Sequence, residues 1–272
     1  MMVLRVVCRN IRCVNDVYGY MGIGTVIFYW VYNTYLTMNI VLIPNYNEQK
    51  ISALFILIYS FIAVGCIVSL LKATFSNPGR VPSQEELMEL DEEDRNVCPI
   101  CEKLRPSRAH HCRRCRQCVT RMDHHCPWIN NCVGEGNHYA FIQLLIYAAL
   151  LSGLTLMLGI LHFYVYLPCT QCDQTSFLHK HNWGLMVSVV VFAMFMVVPM
   201  SGMLTASHIN FLVDRTTIDN LRDPFPDIHH LFFRPDVKSF REIYTEVCGT
   251  PSPWRWLSPC HIRKSRHRIV NY

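Results

Sequence analysis

Charge is scarce in this sequence. Of its 272 residues only 17% are Asp, Glu, Lys or Arg, whereas 51% are hydrophobic. The apolar residues gather in long runs, and residues 51–71 carry no charge at all. That distribution excludes a soluble globule and indicates a polytopic membrane protein. A cleavable leader is missing too. The opening 1–16 holds Arg5, Arg9, Arg12 and Asp16. It is too polar and too poor in small residues for a secretory signal, so the first span serves as an uncleaved anchor. Basic residues are nearly absent from two loops, 44–50 and 168–182, which contain only Lys50 and Lys180. The others lie in the N-terminal segment, in 72–138 and in the tail. Positive-inside bias therefore puts both termini and the central loop in the cytosol.

The remaining apolar pattern predicts four transmembrane helices, at 17–43, 51–71, 139–167 and 183–213. Asn33 and Asn39 interrupt the first, and Pro44 follows it. The third and fourth exceed the roughly 20 residues a bilayer core needs, so they tilt or project. Pro199 and Gly202 mark a kink in the fourth. Trp30 and Trp183 suit the membrane interface. The resulting organisation is a cytosolic N-terminus (1–16), two helices (17–71), a cytosolic loop (72–138), two helices (139–213) and a cytosolic tail (214–272).

Fourteen cysteines would suggest a disulfide scaffold in a small secreted chain. Half of them instead sit in residues 98–132 of the basic loop, on the expected reducing side. Cys98, Cys101, Cys112, Cys115, Cys118, Cys126 and Cys132 share that stretch with His110, His111, His124 and His125. Cysteine and histidine at this density argue zinc, which takes four N or S donors in a tetrahedron. Two such sites need eight ligands; eleven candidates are present. Cys98-x2-Cys101 and Cys112-x2-Cys115 each put two thiolates on one tight turn, half a site apiece. Cys118, Cys132 and two histidines are candidates to complete them. A second Cys-x2-Cys closing pair, as in a RING domain, is missing, because the last pair is Cys126-x5-Cys132. In an extended backbone, His124 and Cys126 share one face and His125 takes the other. Cys126 and His124 are thus the natural unmetallated pair, with Asp123 beside them to orient the imidazole. A thiol near an imidazole is a usable nucleophile at neutral pH, since the thiolate is the reactive form.

Residues 98–141 resemble the signature of the DHHC-type protein S-acyltransferases. The match runs from Cys98-x2-Cys101-x3-Arg105-Pro106-x-Arg108-x2-His111-Cys112 through Cys115, Cys118 and Asp123-His124-His125-Cys126. It continues with Pro127-Trp128, Asn131-Cys132, Gly134, Asn137 and Phe141. The resemblance implies an all-α polytopic membrane protein with four transmembrane helices and a small irregular two-zinc cysteine-rich domain between helices 2 and 3. It implies one structural zinc at Cys98, Cys101, His111 and Cys118, and another at Cys112, Cys115, His125 and Cys132. It implies Cys126 as the acylated nucleophile, with His124 and Asp123 as its helpers.

The expected reaction is ping-pong transfer from a long-chain acyl-coenzyme A such as palmitoyl-coenzyme A to Cys126, then to a substrate cysteine. Both zinc shells are filled, so the ions are structural. A long acyl tail gains about 0.8 kcal/mol per buried methylene, which grips it among the helices. Arg105 and Arg108 are candidates for the coenzyme's phosphates, or else for the domain's own carbonyls. Trp128 flanks the nucleophile, and Leu151 lies near the family's region for gauging chain length, with helix packing as its plainer role. Expected partners are membrane-associated proteins bearing cysteines, the bilayer and acyl-coenzyme A, but no nucleic acid. The resemblance suggests the Golgi, the endoplasmic reticulum or the plasma membrane. The rival readings are a membrane-anchored zinc finger that recruits a partner, and an inactive scaffold of the same fold.

Smaller features follow. Cys8 and Cys13 read as ordinary reduced thiols, and His110 as a structural histidine. The family's Asp-Pro-Gly turn is Asn77-Pro78-Gly79 here. Residues 84–95 form an acidic, helix-like linker. Thr216-Thr217-Ile218-Asp219 resembles the family's Thr-Thr-x-Glu with a shorter carboxylate, which weakens the expected contact to the zinc domain. Cys169-x2-Cys172 should face the lumen as a local disulfide or idle thiols. Trp254, Trp256 and the basic run Arg263 to Arg268 suit an anionic membrane surface or a plain polar tail.

Overall fold

A computed structural model describes residues 14–223, apart from 80, 90, 167, 168, 170, 171 and 174, together with 242 and 245. Cys8, Cys13, the N-terminal arginines, Trp254, Trp256 and the basic run of the tail lie outside the described residues.

Four helices are long and apolar enough to cross a membrane: Val17–Asn47, Ala53–Phe75, His138–Tyr164 and Asn182–Phe211. The first is longer than the sequence suggests. Helix α1 (Val17–Leu36) passes through a π-helical stretch, Thr37–Leu42, into α2 (Ile43–Asn47). Pro44 therefore sits inside the span rather than after it. Proline has no N–H to give, and the wider i→i+5 ladder before it lets the chain continue without that bond. The asparagines do not break the helix either. The amides of Asn33, Asn39 and Asn45 donate to the carbonyls of Tyr29, Tyr35 and Val41, one turn back. Helix α3 is Ala53–Phe75. The fourth long helix, α7, runs from Asn182 to Leu212 and continues through Pro199.

The chain forms two compact units. One comprises Gly24–Ser69 and Leu144–Thr205. Its helices are joined by polar contacts: the buried Tyr59 and Thr155 hydroxyls lie 3.0 Å apart, and the half-buried ones of Tyr32 and Ser188 2.6 Å apart. The Trp30 indole N–H donates to the Ala63 carbonyl. Without water, each such group must find a protein partner.

The other unit comprises the chain up to Ile23, Leu70–Gln143 and the chain from Ala206. The acidic linker is helical only over α4 (Gln84–Met88), where Ser83 and Glu86 form a reciprocal N-terminal cap. The Arg95 guanidinium bonds the carbonyls of Leu87 and Met88 and closes that helix early. Three antiparallel hairpins follow: β1 (Arg95–Val97) with β2 (Leu104–Pro106), β3 (His110–Cys112) with β4 (Gln117–Val119), and β5 (His124–Cys126) with β6 (Asn131–Val133). Each strand is three residues long. The hydrophobic cluster beneath them is small: Cys112, Val119, Met122 and Cys132, with Cys115 and Ile218 against it.

Side-chain amides tie the hairpins to the end of α3. The Asn131 amide donates to the carbonyls of Ala73, Thr74 and Ser76, and the Asn137 amide to those of Ala73 and Cys132. A helix C-terminus leaves carbonyls without partners, and these asparagines satisfy them. The turn at Asn77 works in the same place. Its carboxamide oxygen accepts from the Gly79 N–H at 3.1 Å, as an aspartate would. A Cβ at Gly134 or Gly136 would lie 2.5 or 2.4 Å from the carbonyls of Pro78 and Asn77, so these glycines permit the close approach.

Candidate active site and metal centres

The strand registers create the metal centres. In the second hairpin His111 faces Cys118 across the ladder; in the third, His125 faces Cys132. Each His–Cys pair meets a two-cysteine knuckle from the preceding hairpin's turn. Cys98, Cys101, His111 and Cys118 form one cluster; Cys112, Cys115, His125 and Cys132 form the other, all ligand atoms of each within 4.8 Å. His111 Nδ1 lies 3.1 Å from Cys101 Sγ and 3.8 Å from Cys118 Sγ, and Cys118 Sγ 3.9 Å from Cys101 Sγ. His125 Nδ1 lies 3.6, 3.3 and 3.8 Å from the sulfurs of Cys112, Cys115 and Cys132. Tetrahedral zinc, with bonds of about 2.3 Å to sulfur and about 2.0 Å to nitrogen, spaces its ligands roughly 3.5–3.8 Å apart. Both donor sets fit the ion. The knuckle N–H groups of Cys101 and Cys115 donate to Cys98 Sγ and Cys112 Sγ at 3.4 Å, which stabilises thiolates. His125 Nε2 lies 3.9 Å from Asp16 Oδ2, a carboxylate behind a ligating imidazole.

A period of 14 residues runs through this region. Cys98, Cys112 and Cys126 occupy the same place at the entry of successive turns. Cys112 is paired with Gln117 and Cys126 with Asn131, while the Cys98 N–H bonds the Lys103 carbonyl, five residues on in each case. Glu102, Arg116 and Asn130, also 14 apart, each hold a left-handed conformation, with φ of 55°, 51° and 46°. The second knuckle cysteines are Cys101 and Cys115; at the third repeat the residue is Ile129, fully buried. Cys126 is thus a first knuckle cysteine with no second one, and its thiol stands outside both ligand clusters. The period was present in the spacing of Cys98, Cys112 and Cys126 and could have been found there.

Cys126 closes β5 and is 3% exposed. His124 lies on the same face of that strand, as alternation demands. Its Nδ1–H donates to Asp123 Oδ2 at 2.6 Å, and its ring meets Phe141 edge-on at 5.3 Å. Nε2 is buried and has no hydrogen-bond partner among the described residues. Burial works against charge on His124, but the Asp123 hydrogen bond and the neighbouring Cys126 side chain outweigh it, and its pKa is pushed up to about 9. Asp123 is itself buried, which alone would raise its pKa. The His124 hydrogen bond, the nearby His138 and the Thr217 N–H instead hold it below the usual carboxylate range.

The tail segment supports this pair. The Thr217 N–H donates to Asp123 Oδ1 at 2.7 Å and its hydroxyl to Oδ2 at 3.1 Å. Thr217 begins α8 (Thr217–Arg222), which Thr216 and Asp219 cap reciprocally. Asp219 Oδ2 also accepts from Arg108 at 3.0 Å, so the shorter carboxylate does reach the zinc domain. Burial would raise the Asp219 pKa, but bonds from Thr216 and Arg108 hold it low.

Arg108 is engaged here rather than open to a phosphate: its guanidinium also bonds the Asp214 carboxylate and carbonyl. All these partners sit on the tail segment. Arg105 Nε donates to Asn96. Trp128 follows Cys126 in the short 3₁₀ turn Pro127–Ile129 and is 47% exposed. Leu151 is buried on α5 (His138–Tyr164), in the helical unit. His110 is buried and paired with Val119. Sequence reasoning missed the Thr217 contact to Asp123; the Thr216-Thr217 pair before a helix was its only signal.

Known proteins of one family are similar to this chain. A family model described as DHHC palmitoyltransferase matches residues 91–224. The palmitoyltransferase ZDHHC21 of Mus musculus is 35% identical over 255 residues, 94% of this chain and 94% of its own length. The Homo sapiens ZDHHC21 is 36% identical over the same coverage. The palmitoyltransferase ZDHHC3 of Rattus norvegicus is 34% identical over 165 residues, covering 57% of this chain and 54% of its own.

Proposed function

The chain belongs to the DHHC palmitoyltransferase family and is a multi-pass membrane protein S-palmitoyltransferase; from that premise we propose that Cys126 is its nucleophile, with His124 and Asp123 as its proton-handling pair. One observation carries the assignment. Cys126 is the repeat-entry cysteine that lacks a knuckle partner, and it sits two residues from an imidazole anchored by a buried carboxylate. An imidazolium beside the thiol favours the thiolate. The thiolate attacks the acyl-coenzyme A thioester; the C–S bond to coenzyme A breaks, and His124 gives a proton to the departing thiolate. A substrate cysteine then gives its proton to His124 and takes the acyl group from Cys126, restoring the enzyme. Asp123 stabilises the imidazolium and fixes its tautomer. The two clusters would hold one zinc ion each, and with all four positions filled by protein ligands the ions would serve to fix the hairpins in one shape.

Arg105 and Trp128 are assigned to acyl-coenzyme A beside the nucleophile, and Arg108 to holding α8. Leu151 is assigned to the acyl tail, which its apolar surroundings suit. Residues 72–138 are read as the cytosolic zinc domain. The distribution of basic residues puts both termini in the cytosol. The Cys169–Cys172 disulfide, on a loop of the opposite side in that topology, agrees with a non-reducing compartment. The substrates are cysteine-bearing proteins at a Golgi, endoplasmic reticulum or plasma membrane.

The test uses purified protein and labelled palmitoyl-coenzyme A. Hydroxylamine-labile label should appear on Cys126. Cys126→Ser should abolish it while the chain retains about two zinc ions. Loss of zinc from that variant, or label on another cysteine, would overturn the assignment.

A further inference from the structure

The connection between the third and fourth long helices carries ligand chemistry that acyl transfer does not use. Cys169 and Cys172 are joined as a disulfide three residues apart. Their sulfurs and one nitrogen of His179 lie within 4.8 Å of one another. His179 begins the last turn of a four-residue helix, α6 (Phe177–Lys180), and its Nδ1 is 3.1 Å from the Ser176 hydroxyl. Nε2 is buried and has no hydrogen-bond partner among the described residues. Cys169 and His179 line one cavity with His162, Glu48 and Asn45. An imidazole nitrogen buried without a bond is costly, and a cavity containing a second imidazole and a cysteine gives it an evident use.

A purely mechanical role for the bridge is weak. The entropy a disulfide removes from the unfolded chain grows with the loop it closes, and this loop is among the shortest. The Cys-x2-Cys spacing is that of the two knuckles at Cys98 and Cys112. Two thiolates and two imidazoles form a zinc set of the common Cys₂His₂ kind, and the thiolates cancel the ion's charge.

We propose that Cys169, Cys172 and His179, with His162 moving in from across the same cavity as fourth donor, form a redox-gated site for one zinc ion, closed while the disulfide stands and opened by its reduction. A dithiol reductant supplies two electrons to the sulfur–sulfur bond and is itself oxidised to a disulfide, leaving two thiols on this chain. Zinc binding then displaces both thiol protons to solvent, and His179 Nε2 supplies its lone pair.

The experiment counts zinc in the full chain in detergent, before and after phosphine reduction, zinc incubation and desalting. The untreated protein should hold about two ions and the reduced protein about three. The double variant Cys169→Ser/Cys172→Ser and the single variant His179→Ala should both stay at about two after reduction, while His179→Ala still forms the disulfide. Cys118→Ser should lower both counts together and leave the gain on reduction intact. An equal count in the two redox states would overturn the site, as would a third ion that persists in His179→Ala. A gain surviving in the double variant would place the extra zinc in the hairpins and also sink the proposal.

Discussion

The turns at 112–116 and 126–130 are built alike and do opposite things. Both begin with a cysteine at a strand end, and both pass through a left-handed residue at the fifth position. In the second hairpin the fourth position is Cys115, and both thiols join a four-ligand cluster. In the third it is Ile129, buried with no exposed surface, and Cys126 is left with a thiol to use. One side chain separates a four-ligand knuckle from the thiol proposed as nucleophile. The nucleophile proposed here is therefore held by a backbone that two preceding copies show to suit metal binding, outside both ligand clusters. Rigid placement of this kind is what a reacting atom needs.

The largest effect should come from removing what the metal-bearing turns have. Among the described residues the hairpins have three-residue strands over a small cluster, so they are expected to depend on zinc for their stability. Chelation, or Cys115→Ser, should eliminate acyl-enzyme formation and leave the helical circular dichroism of the long spans mostly intact. Retained activity after quantitative zinc loss would contradict that dependence.

Next is the support of the metal-free turn. Asp123→Asn keeps the shape of the side chain but not its charge. Acylation of Cys126 should slow by about 10²- to 10⁴-fold with zinc content unchanged, measured by single-turnover labelling. An unaltered rate would show that the carboxylate is only a packing group.

Ile129→Cys goes directly at the difference between the turns by restoring the missing cysteine. Residues 126 and 129 would then have the separation that Cys169 and Cys172 bridge. Acyl-enzyme yield without thiol reductant should fall by more than about tenfold and return on reduction. Indifference to reductant would mean the third turn does not share the knuckle geometry.

The smallest expected effect concerns the tail. Arg108 and Asp219 are partly exposed, so Asp219→Ala should cost about 1 kcal/mol and lower the melting temperature by a few degrees. A modest loss of rate should accompany it, because α8 carries the Thr217 N–H that orients Asp123. Asp219→Glu should restore both. Full activity in Asp219→Ala would separate the tail contact from the active site.

Four membrane spans, the Cys/His density and the pair His124 and Cys126 were legible in the sequence because each is local. Hydropathy is a running property of the chain, and strand alternation acts over three residues. The end of the first span was misplaced because a π-helical stretch accommodates Pro44, and no local propensity foretells that. The contact from Asp219 was underrated because side-chain length was weighed without the position of Arg108.

Composition and spacing by themselves determined that this is a membrane protein with two zinc sets' worth of ligands and some to spare. What holds Asp123 and what Arg108 binds were decided only by tertiary structure. The physical reason is distance along the chain. Cys112 and His125 meet across 13 residues, Asp123 and Thr217 across 94, and Arg108 and Asp219 across 111. Contacts of that span are set by which strands pair and which helix ends are capped, and those depend on the whole fold.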